Sequence, residues 1–317
     1  MAFSGVKGHL PQINSLSSCV LEDRLSNAYL FLGPAGVGKK LVALNFAKLI
    51  NCQSENAASG NPCDECPSCK KINSFQHPDI FFISPDSNGT IKIDSIRECI
   101  KRSFLRPYEA RYKIIIIDEA ESMHDEAANA LLKTLEEPQK NNIFILISAN
   151  EKRLLPTVIS RCRRIKFYAQ GAELIKKVLI DDYKMDEQKA HFISHFSEGR
   201  FGPALAVKDT DVLRAKNALL DSFIAKRAKF KDKKEAKYAL NLFSGWLRDL
   251  LLLKIVGSKA AIINIDRRQE LFSQKDKYTI SQLKRAIIFI KDAVFYLDRN
   301  INMRLFNNLV RIKLCSD

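Results

Sequence analysis

A chain of 317 residues with 46% hydrophobic content is long enough for two or three packed domains and ordinary in its apolar share. Its 51 Lys and Arg against 36 Asp and Glu leave a formal charge of +15, which invites a polyanionic partner such as nucleic acid. No apolar run approaches the roughly 18 residues that cross a bilayer, and residues 1–7 show no apolar signal core, so the expectation is a soluble, cytoplasmic protein with reduced thiols.

In chain order, Tyr29-Leu-Phe-Leu32 is a short apolar run ended by glycine and reads as a buried strand. The loop that follows holds Gly33, Gly36, Gly38 and Lys39 in the G-x4-G-K spacing of a phosphate-binding loop, and residues 41–50 carry apolar side chains at helical spacing. Strand, glycine loop, helix is the context that motif requires. Its backbone N–H groups would cradle phosphates at a helix N-terminus, and Lys39 would reach the terminal phosphates. The motif continues with Ser or Thr, whose hydroxyl holds Mg²⁺, but here the position is Lys40, and a charged lysine cannot ligate magnesium. Weak nucleotide binding, binding without hydrolysis, and a glycine-rich turn with no ligand are the readings left open.

Cys52, Cys63, Cys66 and Cys69 come next, in the spacing C-x10-C-x2-C-x2-C. Thiolates two residues apart can converge on one tetrahedral ion, and the longer loop can bring in the fourth. Zinc is the natural occupant of four sulfurs, with an iron–sulfur cluster and unligated thiols as rivals. A closed four-thiolate site leaves no open position, so the metal would be structural. Gly60, Pro62, Pro67 and the small polar residues around them make residues 51–68 read as loop. His77 is a conceivable substitute ligand. Cys19, Cys99, Cys162 and Cys315 are scattered.

Ile80-Phe-Phe-Ile83 is a second strand, and residues 93–104 a helix with Asp94 or Ser95 as its cap. Lys113-Ile-Ile-Ile-Ile117 is apolar on both faces and so central in a parallel sheet. It ends in Asp118 and Glu119, where Asp118 would help hold Mg²⁺ through water and Glu119 would activate an attacking water; a solvated strand end is the alternative. A helix at 127–136 is stopped by Pro138, and strands follow at 143–147 and 164–167. Strands alternating with helices mean an α/β domain with a mostly parallel sheet. Beyond about residue 170 helical patterns take over, as at 172–180, 188–196, 213–228 and 237–256. His191 and His195, four apart with no carboxylate in the protease arrangement, read as ordinary. Residues 207–317 hold 24 Lys and Arg against 12 Asp and Glu, densest at 225–237; a solvated connector is one reading and a polyanion-facing surface the other.

Taken in this order, the residues resemble the clamp-loader branch of the AAA+ ATPases. The resemblance is carried by Ala28-Tyr-Leu-Phe-Leu and the glycine loop to Lys39, the four-cysteine insertion, His77-Pro-Asp79, Ile116-Ile-Asp-Glu-Ala120, Ala130-Leu-Leu-Lys-Thr-Leu-Glu-Glu-Pro138 and Ser160-Arg-Cys162. It covers most of residues 5–207 and is most similar to the delta-prime family of bacterial DNA polymerase III, with weaker matches at 246–254 and 300–305. The resemblance implies an AAA+ α/β domain over 1–168 with a zinc module at 52–69, a small helical lid over 169–207 and an all-α collar over 208–317. It implies a largely non-hydrolysing subunit of a ring-like complex that loads a sliding clamp on primed DNA, beside gamma/tau and delta subunits. Zn²⁺ and ATP with Mg²⁺ are the cofactors of such complexes.

Arg161 matches the arginine that clamp-loader subunits lend to a neighbour's ATP. A guanidinium is always charged and its fork fits phosphate oxygens, and such a finger is worth about 10³–10⁵ in rate. The lid of hydrolysing relatives also carries an arginine that touches nucleotide. Aligning residues 199–205 with that segment puts Gly202 in its place, with Arg200 two residues out of register, about 200° around a helix. Lys40 and Gly202 argue against a working ATPase; Asp118 and Glu119 argue for one. A gamma/tau-like ATPase and a zinc-dependent nucleic-acid-binding protein are the alternative readings.

Overall fold

The computed structural model describes residues 2–297, 299 and 301–315; Asn300, Asp317 and the side chain of Cys315, all within the segments read above, lie outside the described residues. Five strands, β1 (Ala28–Leu32), β2 (Ile80–Ile83), β3 (Lys113–Ile117), β4 (Asn142–Ser148) and β5 (Arg163–Lys166), form one sheet in the order β2-β3-β4-β1-β5. Every pairing is parallel, with Leu30 opposite both Leu146 and Arg164. Parallel strands need crossovers, which place helices on both faces. In the first part of the chain these are α1 (Leu10–Leu21), α2 (Lys39–Asn51), α3 (Pro67–Asn73), α4 (Ile93–Ser103), α5 (Asp125–Glu136) and α6 (Pro156–Ile159).

The alternation of side chains along a strand divides the core in two. Tyr29, Phe31, Ile114, Ile116, Ile143 and Ile145 pack with Leu16 of α1 and Phe46 of α2. Leu30, Leu32, Ile115, Ile117, Phe144 and Leu146 pack with Ile96 of α4 and Leu131 of α5. The isoleucine run of β3 is therefore buried on both faces, as its composition requires.

The chain forms two compact units, Met1–Gln170 with Gly199–Gly202, and Gly171–Glu198 with Pro203–Asp317. The second contains α7 (Ala172–Asp181), α8 (Glu187–Phe196), most of α9 (Phe201–Ala206), α10 (Val212–Ile224), α11 (Lys233–Val256), α12 (Arg268–Gln274), α13 (Ile280–Leu297) and α14 (Met303–Cys315). Its core gathers on α11, where Trp246 is buried and Phe243 stacks on Phe223 of α10 with ring centroids 4.3 Å apart. His191 and His195 have their rings 4.2 Å apart, and His191 Nε2 meets the Ile262 carbonyl at 2.9 Å. Among the described residues they belong to no candidate metal cluster.

Three expectations change. Helix α4 is capped at Lys92 without a side-chain bond, and Asp94 lies inside its first turn, where a carboxylate favours the positive helix end. Helix α11 begins at Lys233, ahead of the apolar pattern, because Asp232 accepts from Glu235 N (2.8 Å) and Glu235 accepts from Lys231 N (2.7 Å), a reciprocal cap. The cysteine segment is not all loop: it holds a 3₁₀ turn at Glu55–Ser59 and the start of α3. Pro67 opens that helix, where a missing N–H costs nothing.

Asp79 fixes the approach to β3. It is 2% exposed, and its carboxylate accepts from the backbone N–H groups of Tyr108 (2.8 Å), Glu109 (2.9 Å) and Ala110 (2.9 Å). Beside it, buried Lys113 donates to the carbonyls of Arg102 (2.8 Å) and Leu105 (2.7 Å), closing the end of α4. Burial pushes the Asp79 pKa up, but the three amides outweigh it and hold the group below its usual 3.8. A carboxylate with a depressed folded pKa stabilises the fold fully above its unfolded value and loses that contribution as pH falls through the folded one. Asp79→Asn is expected to cost about 1–3 kcal/mol at neutral pH and to flatten stability against pH below about pH 4. Urea unfolding at several pH values checks this; a variant that superimposes on the parent at every pH would contradict it.

Candidate nucleotide loop and candidate metal centre

The glycine loop joins β1 to α2. Gly33, at φ 153°, lies against the end of β5, and a Cβ there would sit 2.3 Å from the Phe167 carbonyl oxygen, so no side chain fits. Gly36 and Gly38 continue the turn at φ 79° and 111°, and α2 starts from Gly38. Lys39 is buried at 6% exposure; its Nζ donates back to the carbonyls of Gly33 and Pro34 (2.8 Å to the latter). Burial pushes its pKa down, and the carboxylates of Glu121, Asp118 and Glu119 pull it back up.

Two further contacts set the loop. The Gly202 backbone N–H donates to the Gly36 carbonyl at 2.7 Å. A Cβ at 202 would lie 3.0 Å from Gly36 Cα and 3.1 Å from its oxygen, so an arginine at this position would press on the loop backbone. His9, buried, sets its Nε2 2.8 Å from the Val37 carbonyl, with its Nδ1 3.3 Å from Gln170 Nε2. Burial lowers the His9 pKa, which favours the neutral ring with Nε2–H as donor. The carbonyls of residues 33, 34, 36 and 37 are thus all engaged, and the first N–H groups of α2 have no partner within the helix.

Lys40, at the motif's Ser/Thr position, forms an ion pair with Asp118: Nζ lies 3.2 Å from Oδ2, the lysine side chain about half exposed and the aspartate mostly buried. The Lys40 ammonium is also 5.4 Å from the centre of the Phe82 ring. Asp118 Oδ1 accepts from Glu119 N (3.1 Å). Glu119 is exposed, in a left-handed conformation at φ 50°. Glu121 accepts from Ala149 N at 2.9 Å. Asp118 is therefore engaged by an ammonium where a hydroxyl and a divalent ion would otherwise meet it, and these residues as placed do not fit magnesium.

Arg161 lies just past α6, away from this group of residues. Its guanidinium donates to the Thr157 carbonyl (2.8 Å) and to the Glu136 carboxylate at the end of α5. The side chain remains 31% exposed, and its Nε is buried without a partner among the described residues.

Cys52, Cys63, Cys66 and Cys69 converge: their sulfurs all lie within 4.8 Å of one another. The Cys52–Cys63 and Cys63–Cys69 separations are 3.5 and 4.0 Å. Four sulfurs about 2.3 Å from a tetrahedral zinc would be about 3.8 Å apart, so the donor set fits one such ion; a multi-iron cluster needs sulfurs spread around a larger core. Backbone N–H groups support the sulfurs, Cys66 N to Cys63 Sγ (3.3 Å) and Cys69 N to Cys66 Sγ (3.5 Å). At Cys63 burial raises the thiol pKa, but the amides of Cys66 and Glu65 outweigh it and bring it down to about 6. The knot is tied to α2 by Lys48, almost wholly buried, which pairs with Asp64. His77 is not part of the cluster: its Nδ1 accepts from Asp79 N (3.1 Å). Cys19, Cys99 and Cys162 are free and buried, and burial pushes the Cys99 and Cys162 thiols up to about 12.

No local sequence pattern points to the contacts of His9 with Val37 and of Gly202 with Gly36, or to Glu136 as the partner of Arg161. Pro11 just inside α1 was the local signal that could have located the helix His9 precedes.

The family described as DNA polymerase III, delta subunit, matches residues 8–170. The chain is similar to the delta' subunit of DNA polymerase III from Bacillus subtilis strain 168, 31% identical over 315 residues that cover 93% of each chain. It is also similar to the tau subunit of DNA polymerase III from the same organism, 29% identical over 348 residues, covering 99% of this chain but 61% of tau. Among solved structures, a DNA polymerase III gamma subunit-related protein from Thermotoga maritima aligns over 95% of this chain and 97% of its own, with a TM-score of 0.47 and 19% identity.

The four-sulfur geometry predicts about one zinc per purified chain. Cys66→Ser is expected to release it and to lower the protection of residues 52–69 from hydrogen exchange, with zinc read by atomic absorption. A parent chain that never carries zinc, even when produced in zinc-supplemented medium, would contradict the assignment.

Proposed function

The chain belongs to the DNA polymerase III delta-subunit family, among the clamp-loader subunits with an AAA+ fold, and from that premise we propose that it is a delta-prime-like subunit that does not itself hydrolyse ATP. In this reading residues 1–168 are the AAA+ domain, 169–207 a lid and 208–317 a collar that holds the ring together. Its partners are gamma/tau and delta subunits and, through the complex, the sliding clamp and primed DNA, in the cytoplasm. No helix of the described residues is long and apolar enough to cross a membrane.

The observation that carries the non-hydrolysing reading is the Lys40–Asp118 ion pair. Phosphoryl transfer is catalysed by positioning and charge neutralisation, with the metal bridging phosphate oxygens. An ammonium on Asp118 competes with that metal. The Gly202 contact on Gly36 adds to it, since it leaves no room for a lid arginine. The loop keeps the amide array of a phosphate site, so nucleotide binding without turnover is the behaviour proposed for Gly33, Gly36, Gly38, Lys39 and Lys40. The four cysteines hold a structural zinc that fastens the long insertion.

Arg161 is the residue proposed to act on a neighbour's nucleotide. Its pairing with Glu136 and Thr157 pre-orders a side chain that would otherwise lose rotamer freedom on docking, and a partly exposed guanidinium can exchange Glu136 for phosphate. The second reading, a gamma/tau-like ATPase, is favoured by the similarity to tau along 99% of this chain and by Lys39, Asp118 and Glu119.

Arg161→Ala, introduced into a complex reconstituted with a gamma/tau-type partner, is expected to lower clamp- and DNA-stimulated ATP turnover at least about tenfold and to leave assembly, followed by size-exclusion chromatography, unchanged. Full turnover in the variant complex would remove the finger assignment.

A further inference from the structure

Lys40 is more than a missing hydroxyl. Its ammonium pairs with Asp118 at 3.2 Å and sits near the Phe82 ring, 5.4 Å from its centre. With about half of the side chain exposed, the ammonium keeps N–H donors facing solvent at the start of α2. Next to it Lys39 is buried against the loop carbonyls. The carbonyls of residues 33, 34, 36 and 37 are engaged by Lys39, Gly202 and His9, and the first N–H groups of α2 have no partner within the helix. The loop therefore presents the N-terminal amides of α2 and the Lys40 ammonium, with its own acceptors occupied. That array is suited to a polyphosphate, whose charge is usually balanced by a divalent ion held from the strand-end carboxylate. Here the strand-end carboxylate already holds a cation that is covalently part of the chain. A divalent ion on Asp118 would have to displace Lys40 or sit a few ångströms from its charge, and like charges at that distance repel strongly.

We infer that Lys40 is the loop's own cation, so that the loop takes a nucleoside polyphosphate without a divalent metal. The inference rests on the reading of this loop as a nucleotide site. Lys40 does two things in it: it neutralises Asp118, which would otherwise repel the phosphates, and its free N–H groups donate to phosphate oxygens where the metal would stand. A single ammonium cannot bridge two phosphates and polarise the terminal one as a metal does, which is consistent with binding that leads nowhere chemically.

The test is ADP binding by the full-length chain, measured by calorimetry in excess Mg²⁺ and again in EDTA. The parent is expected to bind at least as tightly in EDTA as in Mg²⁺, because excess Mg²⁺ draws ADP into its own metal complex. Lys40→Thr, which supplies the hydroxyl and frees Asp118, is expected to bind at least about tenfold more weakly in EDTA than in Mg²⁺. Lys40→Arg, keeping the cation, should behave as the parent and shows that the change at 40 is not merely unfolding the loop. Electron paramagnetic resonance of Mn²⁺ with ADP gives a second readout: the parent should show no protein-bound Mn²⁺, and Lys40→Thr should show it. Parent affinity that falls about tenfold or more in EDTA, Mn²⁺ bound in the parent's ADP complex, or no ADP binding by the parent in either buffer would each overturn the inference. Its failure is separable from that of the non-hydrolysing reading: metal-dependent ADP binding by a chain that turns over no ATP sinks only the inference, whereas ATP turnover sinks the other.

Discussion

The carbonyl groups of the glycine loop are held from behind by three donors, and much of the first unit is arranged around that fact. Lys39 takes Gly33 and Pro34, Gly202 takes Gly36, and His9 takes Val37. Each donor comes from a different stretch of chain: the first turn of α2, residues 199–202, and the residue that precedes α1. Gly33 in turn lies flat against the end of β5 because its Cα carries no side chain. Buried carbonyls without partners would cost about 1–3 kcal/mol each, so these contacts commit the loop to one conformation. The consequence for function is directional. With the carbonyls facing inward, the proposed anion-binding face is left to the amides at the start of α2.

The neighbouring carboxylates carry the proposal that the chain does not hydrolyse ATP. Asp118 ends a strand buried on both faces, which fixes its backbone, and Lys40 begins the helix beside it. The two meet because the end of β3 and the start of α2 converge at the carboxyl ends of the strands, the place where α/β sheets bind ligands. The cysteine insertion sits after α2 and before β2, outside this convergence. Lys48 and Asp64 tie it to α2, and the four sulfurs tie it to itself, so a long excursion between two core elements becomes a fixed body. The second unit follows different rules: its stability gathers on α11, around Trp246 and the stacked Phe223–Phe243 pair.

What the sequence discloses and what it hides divide along chain separation. The strands were legible because β1, β3 and β4 lie in the sheet interior and must be apolar on both faces. The glycine loop and the cysteines were legible because all their members are close in sequence. Helix α3 was hidden by Pro67, a breaker inside a helix but a good first residue. Helix α1 was hidden by its serines, Ser15, Ser17 and Ser18, which dilute the apolar stripe of Ile13, Leu16 and Cys19. Contacts such as Lys40–Asp118, Gly36–Gly202 and Arg161–Glu136 join residues that no local pattern relates; only the sheet order brings them together. The departure at position 40 could be read from the motif, but its ion-pair partner could not.

The central claim is that this chain holds its nucleotide loop in a form that does not turn over ATP. Steady-state phosphate release by the purified chain alone, in Mg²⁺ and ATP, tests it most directly, followed by the same assay after mixing with a gamma/tau-type subunit. The account predicts no release above background from the lone chain, and turnover that appears only in the mixture. Release by the lone chain that is abolished by Lys39→Ala would contradict it, and would mean that the Lys40–Asp118 pair opens to admit a metal.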